Sequence, residues 1–270
     1  MLCYNILINN YSQKEMQEKF VVLFALNELL KMITMYSIEP IGIIETPYKE
    51  KFAVPRQPCL VPAAKARVKL LGDANSPEAI RGLEQFSHVW LLFLFDQNLE
   101  AGWKPTVRPP RLGGNERIGV FASRSTFRPN GIGMSAVEVE GVTKQGDQIY
   151  LDLGSVDLVD GTPIVDIKPY IPYSDSIPDA QGGYAGEEPE KSQVTFSSQA
   201  LSSQALAMVK NRYDTNHVLS VIEQVLAQDP RPAYKKNKPD NKEYAVNLFD
   251  LNVKFIVTGN LITVTSIESF

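Results

Sequence analysis

A short stretch of the sequence, residues 107–133, concentrates the residue types that could bind an anion. It reads VRPPRLGGNERIGVFASRSTFRPNGIG and holds five arginines, whereas Glu116 is its only acidic residue. Its prolines remove backbone donors, and its glycines and asparagines favour turns with positive φ, so no regular helix is expected. A guanidinium group offers a planar, two-pronged donor to a carboxylate or a phosphate. This stretch, called the arginine segment below, is therefore predicted to bind something anionic.

The charge of the whole chain is nearly balanced, so the basic character of this segment is local. The 270 residues include 27 Lys+Arg and 31 Asp+Glu, which gives a net charge of −4 at pH 7. This balance argues against nucleic-acid binding over the whole surface but not against a local basic patch. Cys3 and Cys59 are too few for a disulfide framework or a zinc site, so we expect a reduced, cytoplasmic compartment and no metal. The apolar run at residues 20–26 falls short of the roughly 18 residues that span a bilayer, and it lacks signal-peptide features.

The elements that must position the arginine segment are predicted to be strands. From residue 36 to about residue 173, short apolar runs alternate with Pro/Gly turns, and several show the period of two that marks a half-buried strand. The run HVWLLFLF at residues 88–95 predicts a central strand buried on both faces. A short helix is predicted at residues 76–85, with Ser76 as its N-cap. Many short strands with little helix favour a mainly β barrel or sandwich. The candidate strands are residues 37–44, 66–71, 88–95, 117–122, 135–142, 148–153 and 164–168.

Changes in composition divide the chain into four parts. Residues 1–34 are an N-terminal extension with a helix at about residues 13–31, and residues 35–175 are the β-rich part. Residues 176–192, rich in Ser, Gly, Pro and acids, are a linker or exposed loop. Residues 193–270 form a smaller α+β domain with helices at about 198–210 and 216–228 and a final hairpin. A second translation start at Met35 is a further hypothesis, because the strand-like pattern begins there.

Several long stretches together resemble one family of enzymes. They are IGIIETPY with the later PRQ, GLEQFSHVWLLFLF, the arginine segment, DGTPIVDIKPYIPY and DPRPAY. In this order they are similar to the TrmO/TsaA-like family of S-adenosylmethionine-dependent tRNA (N6-threonylcarbamoyladenosine) methyltransferases, strongly over about residues 38–173 and less so beyond. The resemblance implies a single-sheeted β-barrel with a smaller C-terminal α+β domain. It also implies a homodimer that binds S-adenosylmethionine and methylates N6 of threonylcarbamoyladenosine at position 37, in the anticodon loop of tRNA.

S-adenosylmethionine presents a carboxylate, an amine, a sulfonium and an adenine, and the sequence offers groups for them. Arg56 and Arg124 are candidates for the carboxylate because each offers a bidentate fork, although Arg56 could equally be a surface arginine in a turn. For Met134 the alternative is an ordinary strand residue, and for the DGTP motif a tight turn. At Asp96 the chain departs from the family, which often has His there. By resemblance, the cofactor-binding residues are Pro55, Arg56, Gln57, Asp96, Gln97, Arg124, Met134, Asp160, Gly161, Thr162, Pro163 and Ile164.

A second set of residues is predicted to bind the RNA. Arginines held between prolines suit phosphates, and the aromatic faces of Phe127 and Tyr234 could stack on a splayed base, although either could equally be packing. In a dimer, the DPRPAY motif of one subunit would face the β-rich part of the other. The substrate-binding residues are predicted to be Arg111, Arg117, Arg128, Asp229, Arg231 and Tyr234, with further phosphate contacts from Arg108, Lys235, Lys236 and Lys238.

The predicted reaction is an in-line displacement in which N6 attacks the methyl carbon, with most of the acceleration coming from positioning. No general base is assigned, and the candidates are Asp160, Asp166 and His88. Asp166 could instead pair with Lys168, and His88 could be a hydrogen-bonded core residue. Two other functions remain open at this point: a non-catalytic RNA-binding module, and a hydrolase that uses aspartates on a phosphorylated small molecule.

Overall fold

The computed structural model describes residues 36–210, 212–232, 235 and 240–270, together with positions 17, 19, 21 and 22. The chain separates into two compact units, Met1–Glu39 and Pro40–Phe270. The hypothesised start at Met35, and all but those four positions of the helix predicted at residues 13–31, lie outside the described residues. Every element named below belongs to the second unit.

Short strands dominate this second unit, which confirms the prediction of a mainly β protein. The strands are β1 (Gly42–Glu45), β2 (Ala66–Leu70), β3 (His88–Leu94), β4 (Thr106–Val107), β5 (Ile118–Gly119), β6 (Ile132–Gln145), β7 (Gln148–Leu153), β8 (Pro163–Pro169), β9 (Gln193–Phe196), β10 (Asp240–Leu248), β11 (Leu251–Thr258) and β12 (Leu261–Ser269). The α-helices are α1 (Asp96–Leu99), α2 (Pro172–Asp175), α3 (Ser198–Leu201), α4 (Gln204–Val209) and α5 (Thr215–Ala227). None of the described helices is long and apolar enough to cross a membrane.

Six of the strands form one antiparallel sheet that closes on itself. Their order is β1-β2-β7-β6-β3-β8, and β8 pairs again with β1. Alternate residues point inward. Burying one large apolar side chain contributes about 1.5–3 kcal/mol, so these inward residues supply the main stabilisation of the sheet. Every strand contributes to this core, with Ile44, Val68, Leu91, Val137, Leu151 and Ile164 almost completely buried.

Strand β3 corrects one prediction, because it is not buried on both faces. Leu91 and its alternate neighbours are buried, whereas Trp90, Leu92 and Leu94 are only partly buried. The reason is the closure of the sheet, which gives every strand one inner and one outer face. The apolar run therefore places a stripe of large apolar side chains on the outside of the sheet.

Three shorter elements also differ from their predictions. The segment 76–85 contains turns and a 3-10 turn at Leu83–Gln85 in place of a helix, because Gly82 adopts a φ of 87°. The Ser76 hydroxyl nevertheless accepts a hydrogen bond from the Ala79 amide at 3.3 Å, as a cap would. The strand predicted at residues 117–122 is reduced to β5, because its partner β4 has only two residues. The first strand begins only at β1, after Pro40, which cannot donate to a sheet.

The C-terminal part of the unit is a four-stranded sheet with helices packed against it. Its order is β10-β11-β12-β9, and β9 is parallel to β12. The predicted hairpin is confirmed as β11 and β12, with Gly259 at a φ of 61° in the turn. The helix predicted at residues 198–210 is two helices, α3 and α4, because the Ser203 hydroxyl caps the second by accepting from the Leu206 amide at 3.4 Å. Helix α5 is confirmed, and its predicted apolar face is buried: Val218, Val221, Ile222, Val225 and Leu226.

Candidate active site

The predicted cofactor-binding residues lie on four segments that meet at one end of the closed sheet. Residues 46–65 follow the end of β1, α1 follows the end of β3, the arginine segment leads into the start of β6, and residues 154–162 join the end of β7 to the start of β8. In an antiparallel sheet, the end of one strand lies beside the start of its neighbour. The four segments therefore share one end of the sheet, called the site rim below.

The arginine segment is irregular, as predicted, and several contacts fix it to the site rim. Asn130 has a φ of 64°, the left-handed conformation that asparagine tolerates. The Phe95 amide donates to the Gly131 carbonyl at 2.7 Å, which joins the end of the segment to the end of β3. Gly131 has a φ of 60°, which favours glycine, and a Cβ there would lie 2.5 Å from the side chain of Leu99 on α1. A cavity of about 190 Å³, lined in part by Trp103, lies between the segment and the residues around α1.

Arg128 holds the arginine segment together from within. Its Nη1 donates to the carbonyl of Ser123 at 2.6 Å and to the carbonyl of Val120 at 3.2 Å. Hydrogen bonds from a charged donor are stronger than neutral ones, so this side chain has a structural role.

The other predicted RNA contacts in the segment are more accessible. Arg111 Nη1 donates to the carbonyl of Glu187, which ties the segment to the loop at residues 176–192. Arg108 and Arg117 are exposed. Of the arginines predicted to bind substrate, Arg117 is the one whose side chain is most open to an RNA phosphate.

Arg124 and the loop Pro55, Arg56 and Gln57 come together at the site rim. Arg124 Nη1 donates to Gln57 Oε1, and Gln57 Nε2 donates to the Arg56 carbonyl. The pKa of Arg56 is lowered, first because its guanidinium is partly shielded from water and second because Arg111 is near, while the nearby carboxylate of Asp229 opposes the shift. Guanidinium groups gathered in this way favour an anion between them.

The DGTP motif, residues 160–163, is a tight turn packed against β1. Asp160 Oδ1 accepts from the Thr46 amide at 2.9 Å, and Asp160 Oδ2 pairs with Lys49 Nζ at 2.8 Å. Gly161 has a φ of 82°. The amides of residues 160–162 all donate to backbone carbonyls of the protein. A ligand at this turn would therefore find carbonyl oxygens, which suit an amino group or an ammonium group.

Met134 lies on the outer face of the sheet near the site rim. It is 56% exposed and faces Leu92 across the β3–β6 ladder. Trp90 and Leu94 project from β3 on the same side as Leu92, because alternate strand residues share a face. These four residues form an apolar surface, called the outer stripe below.

The remaining predicted cofactor contacts are either exposed on α1 or buried beneath the site rim. Asp96 and Gln97 are exposed in the first turn of α1, directly after β3. Pro55, Thr162 and Ile164 are buried, so their side chains belong to the interior beneath the site rim.

Asp157 is a residue of the site rim that the sequence analysis misses. The Ser135 hydroxyl donates to Asp157 Oδ1 at 2.6 Å. Burial raises the pKa of Asp157 to about 6, while the Ser135 hydrogen bond and the charge of Arg124 act in the opposite direction. The signal in the sequence is an acid between two apolar residues, Val156 and Leu158, which are both buried.

The predicted RNA-binding pair in the DPRPAY motif is buried in this chain. Arg231 is 3% exposed, and its Nε and Nη2 donate to the two carboxylate oxygens of Asp229, each at 2.9 Å. The pair fixes the turn after α5, beside a cavity of about 520 Å³ that Arg56 also lines. Tyr234, Lys236 and Lys238 lie outside the described residues.

The three candidate bases are not placed alike. His88 is exposed and hydrogen-bonded to Ser87 at 3.0 Å, and it begins β3, at the end of the sheet opposite the site rim. Asp166 pairs with Lys168 at 2.9 Å, as the structural alternative predicts. Both carboxylate oxygens of Asp160 are engaged in the turn described above. None of the three therefore stands out as a general base.

Two family profiles match the chain. The tRNA-methyltransferase O N-terminal domain matches residues 43–176, which contain all but the first residue of the closed sheet and the whole site rim. The TrmO C-terminal domain matches residues 189–270, which contain the four-stranded sheet. These matches place the chain in the class of tRNA methyltransferases.

Individual proteins agree with these profiles. The chain is 52% identical over 236 residues to the tRNA (adenine(37)-N6)-methyltransferase of Escherichia coli (strain K12), a match that covers 87% of this chain and 99% of that protein. It is 50% identical over 218 residues to a Pseudomonas aeruginosa protein provisionally named as an S-adenosylmethionine-dependent methyltransferase, with 81% and 91% covered. A crystal structure of TrmO from Pseudomonas aeruginosa superposes with a TM-score of 0.71 at 41% identity, covering 88% of this chain and 100% of that one. The chain belongs to the tRNA-methyltransferase O family.

Proposed function

We propose that this protein uses S-adenosylmethionine to methylate N6 of the adenosine at position 37 of tRNA, within the anticodon loop. We further propose that the substrate is the threonylcarbamoyl form of that adenosine. Membership of the family and 52% identity to the Escherichia coli enzyme support the reaction. The structural observation that carries the proposal is the hydrogen bond from Arg124 to Gln57 at the same end of the closed sheet as the DGTP turn.

The residues of the site rim fit the cofactor in charge and polarity. Arg124 and Arg56 offer guanidinium donors to its carboxylate. The carbonyl oxygens of the DGTP turn offer acceptors to its amino groups. Met134, which is strongly exposed, offers an apolar surface to its adenine. When bound, S-adenosylmethionine supplies a methyl group activated by the sulfonium.

The residues of the chain contribute chiefly by positioning the two reactants. The arginine segment is fixed to β3 and α1, so the groups that bind are already in place when a ligand arrives. Positioning of this kind lowers a barrier by up to about 7–11 kcal/mol in favourable cases. Because no candidate base is placed to act, we propose that the N6 proton passes to solvent.

The tRNA would lie along the exposed side of the arginine segment. Arg108 and Arg117 point into solvent there and could neutralise phosphates. Phe121 is 76% exposed, and Lys104 Nζ lies 4.5 Å from the centre of the Phe127 ring. Exposed aromatic rings next to cations are the usual surface for splayed bases of a single-stranded loop.

We propose a homodimer that covers Trp90, Leu92 and Leu94 of the outer stripe. Large apolar side chains on the outer face of a closed sheet lose contact with water only when another surface covers them. The DPRPAY motif lies beside Arg56 of its own chain, so in the dimer it would extend from that site rim towards the partner subunit. The buried Asp229–Arg231 pair would give that motif its shape, and Tyr234 would contact the substrate.

The organisation of the chain forms part of the same proposal. We propose that the closed sheet is the single-sheeted β-barrel implied by the family resemblance, within a cofactor domain at residues 35–175. Residues 193–270 would be a second domain, residues 176–192 a linker or exposed loop, and residues 1–34 an extension. A tRNA substrate suits a cytoplasmic location.

Calorimetric titration with S-adenosylmethionine tests the cofactor site. We expect the wild-type protein to bind it in the micromolar range and Arg124→Ala to abolish binding. Arg81→Ala is a matched control, because Arg81 is an exposed arginine that pairs with Glu78 outside the site rim. If the wild-type protein does not bind the cofactor, the proposal is wrong, and a phosphate-reading RNA-binding module becomes the better account.

A further inference from the structure

The cavity of about 190 Å³ between the arginine segment and α1 takes part in none of the cofactor contacts proposed above. Its polar and aromatic lining consists of Asn98, Trp103, Thr126, Arg128 and Asn130, and it is called the α1 cavity below. Sites that hold a drug-sized ligand have volumes of about 300–1,000 Å³. The α1 cavity is smaller, so it suits one chemical group of a larger ligand.

The α1 cavity has predicted cofactor contacts next to both of its walls. On one wall, Asn98 directly follows Gln97 within the four residues of α1. On the other wall, Arg128 belongs to the same irregular stretch as Arg124. A group attached to the atom that accepts the methyl would therefore have this cavity within reach.

The charge and the donors of the α1 cavity favour a carboxylate. Among the described residues that line it, Arg128 is the one charged side chain. Its Nη1 donates to two backbone carbonyls, so its Nε and Nη2 donors remain for a ligand. Asn98 Oδ1 accepts from Lys51 Nζ at 2.7 Å, which fixes this amide and leaves its Nδ2 as a donor. Hydrogen bonds from a guanidinium to a carboxylate are among the strongest in proteins.

The rest of the α1 cavity suits a small group that is partly apolar. The Trp103 side chain is 54% exposed and Leu99 is 49% exposed, so together they offer an apolar wall. The hydroxyl of Thr126 and the amide of Asn130 can each donate to or accept from a hydroxyl. A ligand group with a carboxylate, a hydroxyl and a methyl matches this combination.

We propose that the α1 cavity binds the threonyl end of the threonylcarbamoyl group of the substrate. That group is attached to N6, the atom that accepts the methyl, so it must lie close to the cofactor during the reaction. Its carboxylate pairs with Arg128 and Asn98, its hydroxyl contacts Thr126, and its methyl lies against Trp103. The inference rests on the proposed function, because it assumes that the substrate carries this group.

Two tRNAs that differ in one charge test the proposal. Both are assembled by ligation with a synthetic anticodon loop that carries threonylcarbamoyladenosine at position 37, and in the second tRNA a neutral carboxamide replaces the threonyl carboxylate. We expect the wild-type protein to prefer the first tRNA by about 10- to 100-fold in kcat/KM, the scale of hydrogen bonds to a charged group. Equilibrium binding of the two tRNAs, measured by fluorescence anisotropy, should show the same preference without methyl transfer.

Asn98→Asp is the variant that reverses the charge of the α1 cavity. It keeps the shape of the side chain and still accepts from Lys51, so the fold is retained. We expect the preference for the carboxylate tRNA to fall by at least about tenfold, because a second carboxylate repels the first. Asn115→Asp is the matched control, because Asn115 is exposed in the arginine segment and does not line the cavity. It can weaken binding of both tRNAs, but it should leave the preference unchanged.

Three outcomes would overturn the proposal. If Asn98→Asp weakens both tRNAs equally, the cavity meets a backbone phosphate and not the threonyl carboxylate. If Asn98→Asp lowers affinity for S-adenosylmethionine in calorimetry, Asn98 acts on the cofactor. If the wild-type protein methylates both tRNAs equally well, the proposed function stands and the role of the α1 cavity is wrong. If it methylates neither tRNA, the proposed function itself fails.

Discussion

At the scale of single residues, hydrogen bonds divide the arginines of the arginine segment into internal and exposed ones. Arg128 donates hydrogen bonds to two backbone carbonyls, whereas Arg117 faces solvent. The sequence predicts the charge of the segment and its irregular backbone. It does not predict which arginine is internal, because that depends on where the carbonyls of residues 120 and 123 lie after folding.

Arg117→Ala and Arg128→Ala should therefore have different effects. For Arg117→Ala we expect weaker tRNA binding whose salt dependence is lower by about 0.7–0.9 in the log–log slope, the loss of one phosphate contact. For Arg128→Ala we expect faster amide hydrogen exchange at residues 120–131, because two charged hydrogen bonds are lost. Filter binding at several salt concentrations and exchange mass spectrometry measure the two effects. Equal exchange in both variants would contradict the internal role of Arg128.

Asp157 should destabilise the fold at neutral pH. Its pKa is raised from 3.8 to about 6, so the folded state favours the protonated form. The protonated carboxyl of Asp157 therefore stabilises the folded state, and this stabilising contribution is fully present below about pH 4 and is lost as pH rises through about 6. We expect Asp157→Asn to raise the free energy of unfolding by about 1–3 kcal/mol at pH 7 and by much less at pH 4. Urea denaturation of both proteins at pH 4 and pH 7 checks this. An equal change in the free energy of unfolding at the two pH values would contradict it.

At the scale of elements, local patterns predict strands well and their surroundings poorly. Strand β7 has the predicted bounds, because its alternation is complete within six residues. The exposure of one face of β3 follows from closure of the sheet, and the formation of β9 depends on pairing with the distant β12. Neither feature can be predicted from the local sequence. The break between α3 and α4 is more local, since a serine at position 203 is a good cap.

The start of β6 requires glycine at position 133. A Cβ there would lie 2.5 Å from Cζ of Phe93 and 2.8 Å from Cζ of Phe95, which are rigid rings in T-shaped contact. We expect Gly133→Ala to lower the free energy of unfolding by about 1–3 kcal/mol through overpacking. Gly141→Ala in the same strand is the control, because nothing lies within 4 Å of a Cβ at that position. Urea denaturation of both variants measures the difference. Equal free energies of unfolding would show that Phe93 and Phe95 shift to make room without loss of stability.

At the scale of the whole molecule, the site is created by the order of the strands. Residues 55–57, 96–97, 124 and 157–163 are far apart in sequence, and antiparallel pairing brings their segments to one end of the sheet. The family resemblance names most of these positions. Composition and periodicity could not, because neither contains the pairing order of distant strands.

The outer stripe predicts an assembly. Leu92→Glu places a charge in the middle of this apolar surface, and charged residues are depleted from the cores of homodimer interfaces. We expect the variant to sediment as a monomer where the wild-type protein sediments as a dimer. Thr143→Glu is the control, because Thr143 is exposed further along β6, towards the opposite end. A monomeric wild-type protein, or a dimer that survives Leu92→Glu, would contradict this use of the stripe.

Methyl transfer to tRNA is the central claim, and nucleoside mass spectrometry after incubation of the purified protein with S-adenosylmethionine and tRNA tests it most directly. The substrate should be tRNA that carries threonylcarbamoyladenosine at position 37 but lacks its methyl group. We predict that wild-type protein converts this nucleoside to its N6-methylated form and that Arg124→Ala does not. An unchanged nucleoside, or a methyl group found on another position of the tRNA, would contradict the account.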